Sequence, residues 1–202
     1  MADYNDIRYN VGYTKAGNLV FIKKLTASSS STLSFVDGTS DVVLDGTYDE
    51  YLFTFKDIHP ATDNQHFQFN ASIDSGSNYT VTKTTTLFQA EHDEADTSTA
   101  VGYKTALDLA QGTGAQCLVQ GLNNANDSMC SGYMHLFAPS STTYIKHFIS
   151  VVSATMGGGG DYIQPNYAAG YLNTTSAVDA IQFSMASGNI DAGDICLYGI
   201  GS

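Results

Sequence analysis

The stretch Tyr51-Leu52-Phe53-Thr54-Phe55-Lys56-Asp57-Ile58 decides the fold class. Side chains of an extended chain alternate between two faces, so Tyr51, Phe53 and Phe55 share one face while Thr54 and Lys56 share the other. This is a half-buried β-strand; the apolar face of a helix would recur every three to four residues instead. After it, His59-Pro60-Ala61-Thr62-Asp63-Asn64 reads as a loop, because proline cannot donate to a ladder and the Asp-Asn pair favours turns.

The same period returns on both sides. Phe67, Phe69, Ala71 and Ile73 alternate with Gln68, Asn70 and Ser72. Further on come Ile145, His147, Ile149 and Val151, then Ile181, Phe183 and Met185, then Ile195, Leu197 and Gly199. Upstream, the β-rich run Leu19 to Leu25 and the short Leu33-Ser34-Phe35-Val36 add two strands, the second closed by the turn signal Asp37-Gly38. Strands punctuated by turns from end to end predict an all-β, antiparallel, jelly-roll-like β-sandwich, and 202 residues suffice for two four-stranded sheets with long loops. Residues 1–16 are polar, sustain neither period, and read as an extended N-terminal arm; residues 17–202 form a single β-sandwich domain.

Composition narrows the function classes. Charged residues are only 14% of the chain, and eight Lys and Arg face 20 Asp and Glu for a formal charge of −12. Arg8 is the only arginine, so a phosphate-neutralising surface is hard to build; neither nucleic acid nor an anionic membrane is an expected partner. No apolar run reaches transmembrane length, and Met1 to Asp6 has neither the basic end nor the apolar stretch of a signal peptide, so synthesis in the cytosol without general export is expected. Cys117, Cys130 and Cys196 are odd in number and widely spaced, which fits reduced thiols behaving as small core residues.

The search for chemistry is mostly negative. There is no Gly-x-Ser-x-Gly elbow, and Gly112-Thr113-Gly114 lacks the third glycine of a dinucleotide fingerprint. The Gly157 to Gly160 run is not followed by the Lys-Ser or Lys-Thr of a phosphate loop. A zinc site from Cys130, His135 and His147 is set aside, because no close Cys-Cys or His-His pair supports it. Calcium at Glu91 to Asp96 or Asn123 to Ser128 lacks the spacing of a helix-loop-helix site, and both segments read as solvated loops. No catalytic, cofactor or metal residues are assigned, and a non-enzymatic protein is expected. Thirteen tyrosines, among them Tyr51, Tyr133, Tyr144, Tyr162, Tyr167, Tyr171 and Tyr198, offer contact area for a protein interface or a sugar, set against ordinary sheet packing.

A family resemblance adds to this. The segments from Gly17 to Lys24, Tyr48 to Phe53 and His135 to Tyr144, with the ending Ile181 to Asp191 and Ile195 to Ile200, resemble virion structural proteins of tailed phages of marine bacteria, of the cyanophage and pelagiphage kind. The resemblance covers the chain from about Gly17 onward and rests on strand and turn patterns. It implies a non-enzymatic virion protein made in the host cytoplasm, with other capsid or tail proteins as partners. The expected role is a capsid decoration on the head exterior. Tyr4, Ile7, Tyr9 and Tyr13 of the arm are the anchoring contacts, and symmetric copies, expected as trimers, pack through sheet edges. The alternative role is a tail-fibre or baseplate module whose tyrosine-bearing loops bind a host-surface glycan. A polysaccharide-degrading enzyme would instead need a cleft with two facing carboxylates.

Overall fold

The computed structural model describes residues 19–156 and 161–201. Among them run twelve strands: β1 (Leu19–Thr26), β2 (Thr32–Val36), β3 (Glu50–Pro60), β4 (Gln65–Ser72), β5 (Lys83–Asp93), β6 (Thr99–Tyr103), β7 (Gln116–Leu122), β8 (Cys130–Phe137), β9 (Lys146–Met156), β10 (Tyr162–Leu172), β11 (Ala180–Met185) and β12 (Ile190–Ile200). They form two sheets, in which every pairing between strands is antiparallel, and the fold is an all-β sandwich. The large sheet has eight strands in the order β1-β12-β3-β8-β9-β10-β5-β6, and the small one four in the order β2-β11-β4-β7. The expected four-plus-four division is therefore replaced by eight plus four. Leaving aside β1 and β12, the order is compatible with a jelly roll in which one strand of the large sheet is expanded into the meander β8-β9-β10.

The deciding strand behaves as its alternation predicts, up to a point. Tyr51, Phe53 and Phe55 are buried and Lys56 is exposed. Strict alternation would next bury Asp57. Instead Asp57 takes a positive φ of 52°, the register with β8 slips between Phe55 and Ile58, and Ile58 turns inward in its place. One inserted residue at a bulge thus keeps a carboxylate out of the core and extends the strand to Pro60, where the sequence predicts a loop. Pro60 is tolerated because it is the last residue of β3, opposite Ile190.

Seven phenylalanines fill the space between the sheets. Phe183 of β11 lies at their centre, with ring centroids 5.2 Å from Phe55, 5.3 Å from Phe53, 5.9 Å from Phe67, 6.3 Å from Phe35 and 6.4 Å from Phe69. Phe69 also meets Phe148 of β9 edge-on at 4.9 Å. All seven are at most 3% exposed, and edge-to-face pairs of this kind add to the hydrophobic gain from burial. The expected turn at Asp37-Gly38 is present: Gly38 adopts φ 71°, and the Asp37 carboxylate accepts the Leu44 N–H at 2.8 Å.

Among the described residues two lysines are wholly buried, Lys83 at the start of β5 and Lys146 at the start of β9, in register on either side of Leu172. Each ammonium is held by oxygen atoms. Lys83 donates to the Asn70 side chain at 2.5 Å and the Val81 carbonyl at 2.7 Å; Lys146 donates to the Thr174 and Ser176 carbonyls at 3.1 and 2.6 Å. Asn70 belongs to the small sheet, so Lys83 ties the two layers together. Burial disfavours the charged form and draws the Lys83 pKa down to about 8.

Candidate interaction face and polar cavity

The outward face of the large sheet is unusual for so acidic a chain. Following the register across all eight strands gives one unbroken row: Lys24, Cys196, Thr54, Tyr133, Val151, Tyr167, Phe88 and Tyr103. None of the eight is buried. At about 4.8 Å per strand spacing the row is about 34 Å long. A second row, Phe21, Tyr198, Leu52, His135, Ile149, Ala169 and Thr86, runs beside it across seven strands. Neither row contains a carboxylate, although the chain has 20.

Exposed rings on this face are preassembled. Phe88 and Tyr167 stack with centroids 4.9 Å apart and planes 9° from parallel, and Phe21 meets Tyr198 edge-on at 5.7 Å. Cross-strand pairs of this type are worth a few tenths of a kcal/mol to about 1 kcal/mol each, yet here they leave apolar surface in water. Glu50 borders the second row and is hydrogen-bonded to His135 Nδ1.

At the other end of β5 and β10 from the buried lysines, the inner surface changes character. Gln89 and Glu91 of β5, Tyr162 and Gln164 of β10, Lys104 beyond β6, and Gln120 of β7 line a cavity of about 210 Å³. Glu91 Oε1 accepts from the Gln89 amide and, at 3.3 Å, from the Gln164 amide, and lies 3.7 Å from Lys104 Nζ. The Tyr162 hydroxyl is pushed above its ordinary pKa, first by burial and then by the Glu91 charge. Gln89 is 2% exposed, and its Oε1 has no hydrogen-bond partner; neither has the enclosed Oε1 of Gln120.

A bulge places Gln120. Between Phe67 and Gln65 of β4 the partner β7 steps three residues, from Val119 to Leu122, so one extra residue is accommodated. Gly121 takes φ 70°, and a Cβ there would come within 3.2 Å of Asn64 Oδ1. Its N–H donates to His66 Nδ1 at 3.0 Å. Burial lowers the His66 pKa, which keeps that nitrogen free to accept.

The candidates read from sequence fare unevenly. Tyr4, Ile7, Tyr9 and Tyr13, with the whole arm, lie outside the described residues, as do Gly157 to Gly160. Cys130 points into the core, whereas His135 and His147 lie on the outward face, so the zinc combination is not assembled; among the described residues no group of His, Cys, Asp and Glu could hold a metal ion. All three cysteines are free, Cys117 and Cys130 in the core and Cys196 partly covered. Desolvation pushes the Cys117 thiol up to about 12.

The acidic segment is not one solvated loop. Glu91, His92 and Asp93 complete β5, Glu91 turns toward the cavity, and Asp93 accepts the Thr97 and Ser98 N–H groups at 2.9 and 2.8 Å to close the hairpin. The tyrosines split by role. Tyr51 is fully buried, donating to the Asp45 carbonyl at 2.9 Å, while Tyr133, Tyr167 and Tyr198 stand on strands of the outward face. Sequence reasoning did not pick out Gln89, Gln120, Gln164 and Asn166. The available signal was period-two alternation in which amides occupy inward positions beside Leu87 and Ala168. Comparison with known proteins adds no relative: no family model matches the sequence, and neither a curated protein nor a solved structure matches it.

Proposed function

We propose that this chain is a non-enzymatic structural protein of a tailed-phage virion, carried on the exterior of the head as a decoration, with residues 1–16 as its anchoring arm. The observation that carries the reading is the pair of carboxylate-free rows on the outward face of the large sheet. Molecules with a formal charge of −12 repel one another, and this face is where two copies approach with least repulsion and most apolar area to cover. In this reading copies pack through the broad face. The same net charge favours a position away from packaged DNA, whose phosphates would repel it. A second reading, a tail-fibre or baseplate module with a host-surface glycan as ligand, is favoured by the polar cavity. That cavity has a single lining carboxylate, Glu91, already engaged by two amides and a lysine, which supports binding over two-carboxylate hydrolysis.

A cryo-electron-microscopy map of intact particles with this chain traced tests the placement. Density on the capsid lattice, with the outward face against a neighbouring copy, is the expected result; density on the tail overturns the head assignment. In sedimentation, the double variant Phe88→Asp, Tyr167→Asp should dissociate the oligomer while the fold is retained. Unchanged association of the variant would show that the copies meet elsewhere.

A further inference from the structure

We propose that the free edge of β6 receives residues 9–13 of a neighbouring copy's arm as an added strand, so that copies of this chain are tied together by arm exchange. The inference rests on the reading of residues 1–16 as an anchoring arm and of the outward face as the meeting surface, and it names what the arm holds. The large sheet ends in β1 and β6. β1 carries Lys23 and Lys24 and a register slip between Phe21 and Lys23, devices that discourage pairing at an edge. β6, Thr99-Ala100-Val101-Gly102-Tyr103, has an unbroken register with β5, no charge and no proline, and among the described residues no strand pairs with its other side. None of the five is buried, and Val101 is 80% exposed.

The backbone of β6 defines which groups are on offer. The Lys104 N–H donates to the Leu87 carbonyl at 2.9 Å and the Asp93 N–H to the Ser98 carbonyl at 3.2 Å, and in an antiparallel ladder bonded positions alternate. Ala100 and Gly102 therefore bond to β5, while Thr99, Val101 and Tyr103 point their N–H and C=O groups out of the sheet edge. The chain that precedes β1 supplies the occupant. In it Ile7, Tyr9, Val11 and Tyr13 alternate with Arg8, Asn10 and Gly12, a short run of period two inside an arm that as a whole sustains none. Val11-Gly12-Tyr13 repeats the Val101-Gly102-Tyr103 that β6 holds extended at the edge. Arg8 and Lys15 bracket the segment, and the hairpin at one end of β6 carries Asp93, Glu94 and Asp96. Whichever way the segment runs, a cation falls at that acidic end; at the other, Lys104 is matched by Glu91 at 3.7 Å. Reach makes this a contact between copies: the chain from Tyr13 to Leu19 spans at most about 22 Å, whereas the sheet from β1 to β6 is about 34 Å across. A two-stranded pairing is marginal in water by itself, so the arm tethers copies that the outward face brings together.

Amide hydrogen exchange read by NMR on the full-length protein, at a concentration where it associates, tests the exchange of arms. Thr99, Val101 and Tyr103 should be protected. Val11→Pro, which removes an N–H from the arm and bars it from a ladder, should speed their exchange about tenfold, with Ala100 and Gly102 unchanged because they bond to β5. Adding unlabelled Val101→Pro, whose arm is intact and whose edge is blocked, to labelled Val11→Pro should restore the protection. Should Val101→Pro fail to fold, unlabelled wild type serves as the donor of the arm. Associated protein whose three edge amides exchange at the same rate in wild type and Val11→Pro overturns the arm exchange and leaves the broad-face contact standing. Protection that mixing does not restore overturns it as well, since the arm would then serve its own copy. Wild type that sediments as a monomer overturns both the broad-face contact and the exchange.

Discussion

The two ends of the sandwich interior are built on opposite principles. Under β2, β11 and β4, seven phenylalanines interlock around Phe183 with no unpartnered polar atom among them. Toward β5 and β10 the inward positions hold Thr85, Gln89, Gln164 and Asn166, and the enclosed side-chain oxygens of Gln89, Gln120 and Asn166 have no partner. The first region gains from removing apolar surface from water; the second bears a desolvation cost that its hydrogen bonds offset only in part. The cause is geometric. Four strands cannot cover eight, so the β5 and β10 end of the large sheet lies under β7, the edge of the small sheet. The first region shows where stability resides, and the second where the interior keeps polar groups at a cost.

The contrast can be broken by measurement. Phe183→Ala removes the ring that five others touch, and such truncations cost about 3 to 5 kcal/mol; urea unfolding should show a loss in that range. A loss under about 1 kcal/mol would mean that the aromatic half does not dominate.

Lys83 gives a pH-dependent effect at the seam between the two regions. Its pKa falls from 10.5 to about 8 on folding, so between those values the unfolded chain binds more protons and folded stability rises with pH. The contribution is complete above pH 10.5 and lost as pH falls to 8. At about 1.4 kcal/mol per pH unit, the wild type should gain about 3 kcal/mol relative to Lys83→Met over that window. Parallel stability curves for the two proteins would show that the ammonium is solvated after all. The smallest change is expected at Gln89→Leu, which removes an unpartnered oxygen along with one amide donor; its stability should stay within about 1 kcal/mol of wild type. A loss as large as that of Phe183→Ala would make the amide region a second structural core.

Much of the fold is legible in the residues themselves. The buried stripe Tyr51, Phe53 and Phe55, the turn at Asp37-Gly38, and the inward Phe67, Phe69, Ile181, Phe183, Ile195 and Leu197 follow from alternation and turn chemistry. Alternation alone does not say which stripe faces the core. Along β9 the stripe that stands out in the sequence, Ile145, His147, Ile149 and Val151, is the outward one, and Phe148, Ser150, Val152 and Ala154 face inward. The core takes the stripe that the opposing sheet can reach, and β9 is opposed by Phe69. The candidate surfaces were less visible for the same reason. The outward rows join residues from eight separate strands, and the cavity joins β5, β10, the segment after β6 and a bulge in β7.

By itself the sequence determined an all-β antiparallel sandwich with reduced cysteines, because period-two alternation, turn residues and thiol spacing act locally. Only the tertiary structure decided the eight-plus-four division, the bulges at Asp57 and Gly121, and the burial of two lysines. Each of these depends on which strands become neighbours, and strand pairing is fixed by the mutual fit of surfaces far apart in the chain.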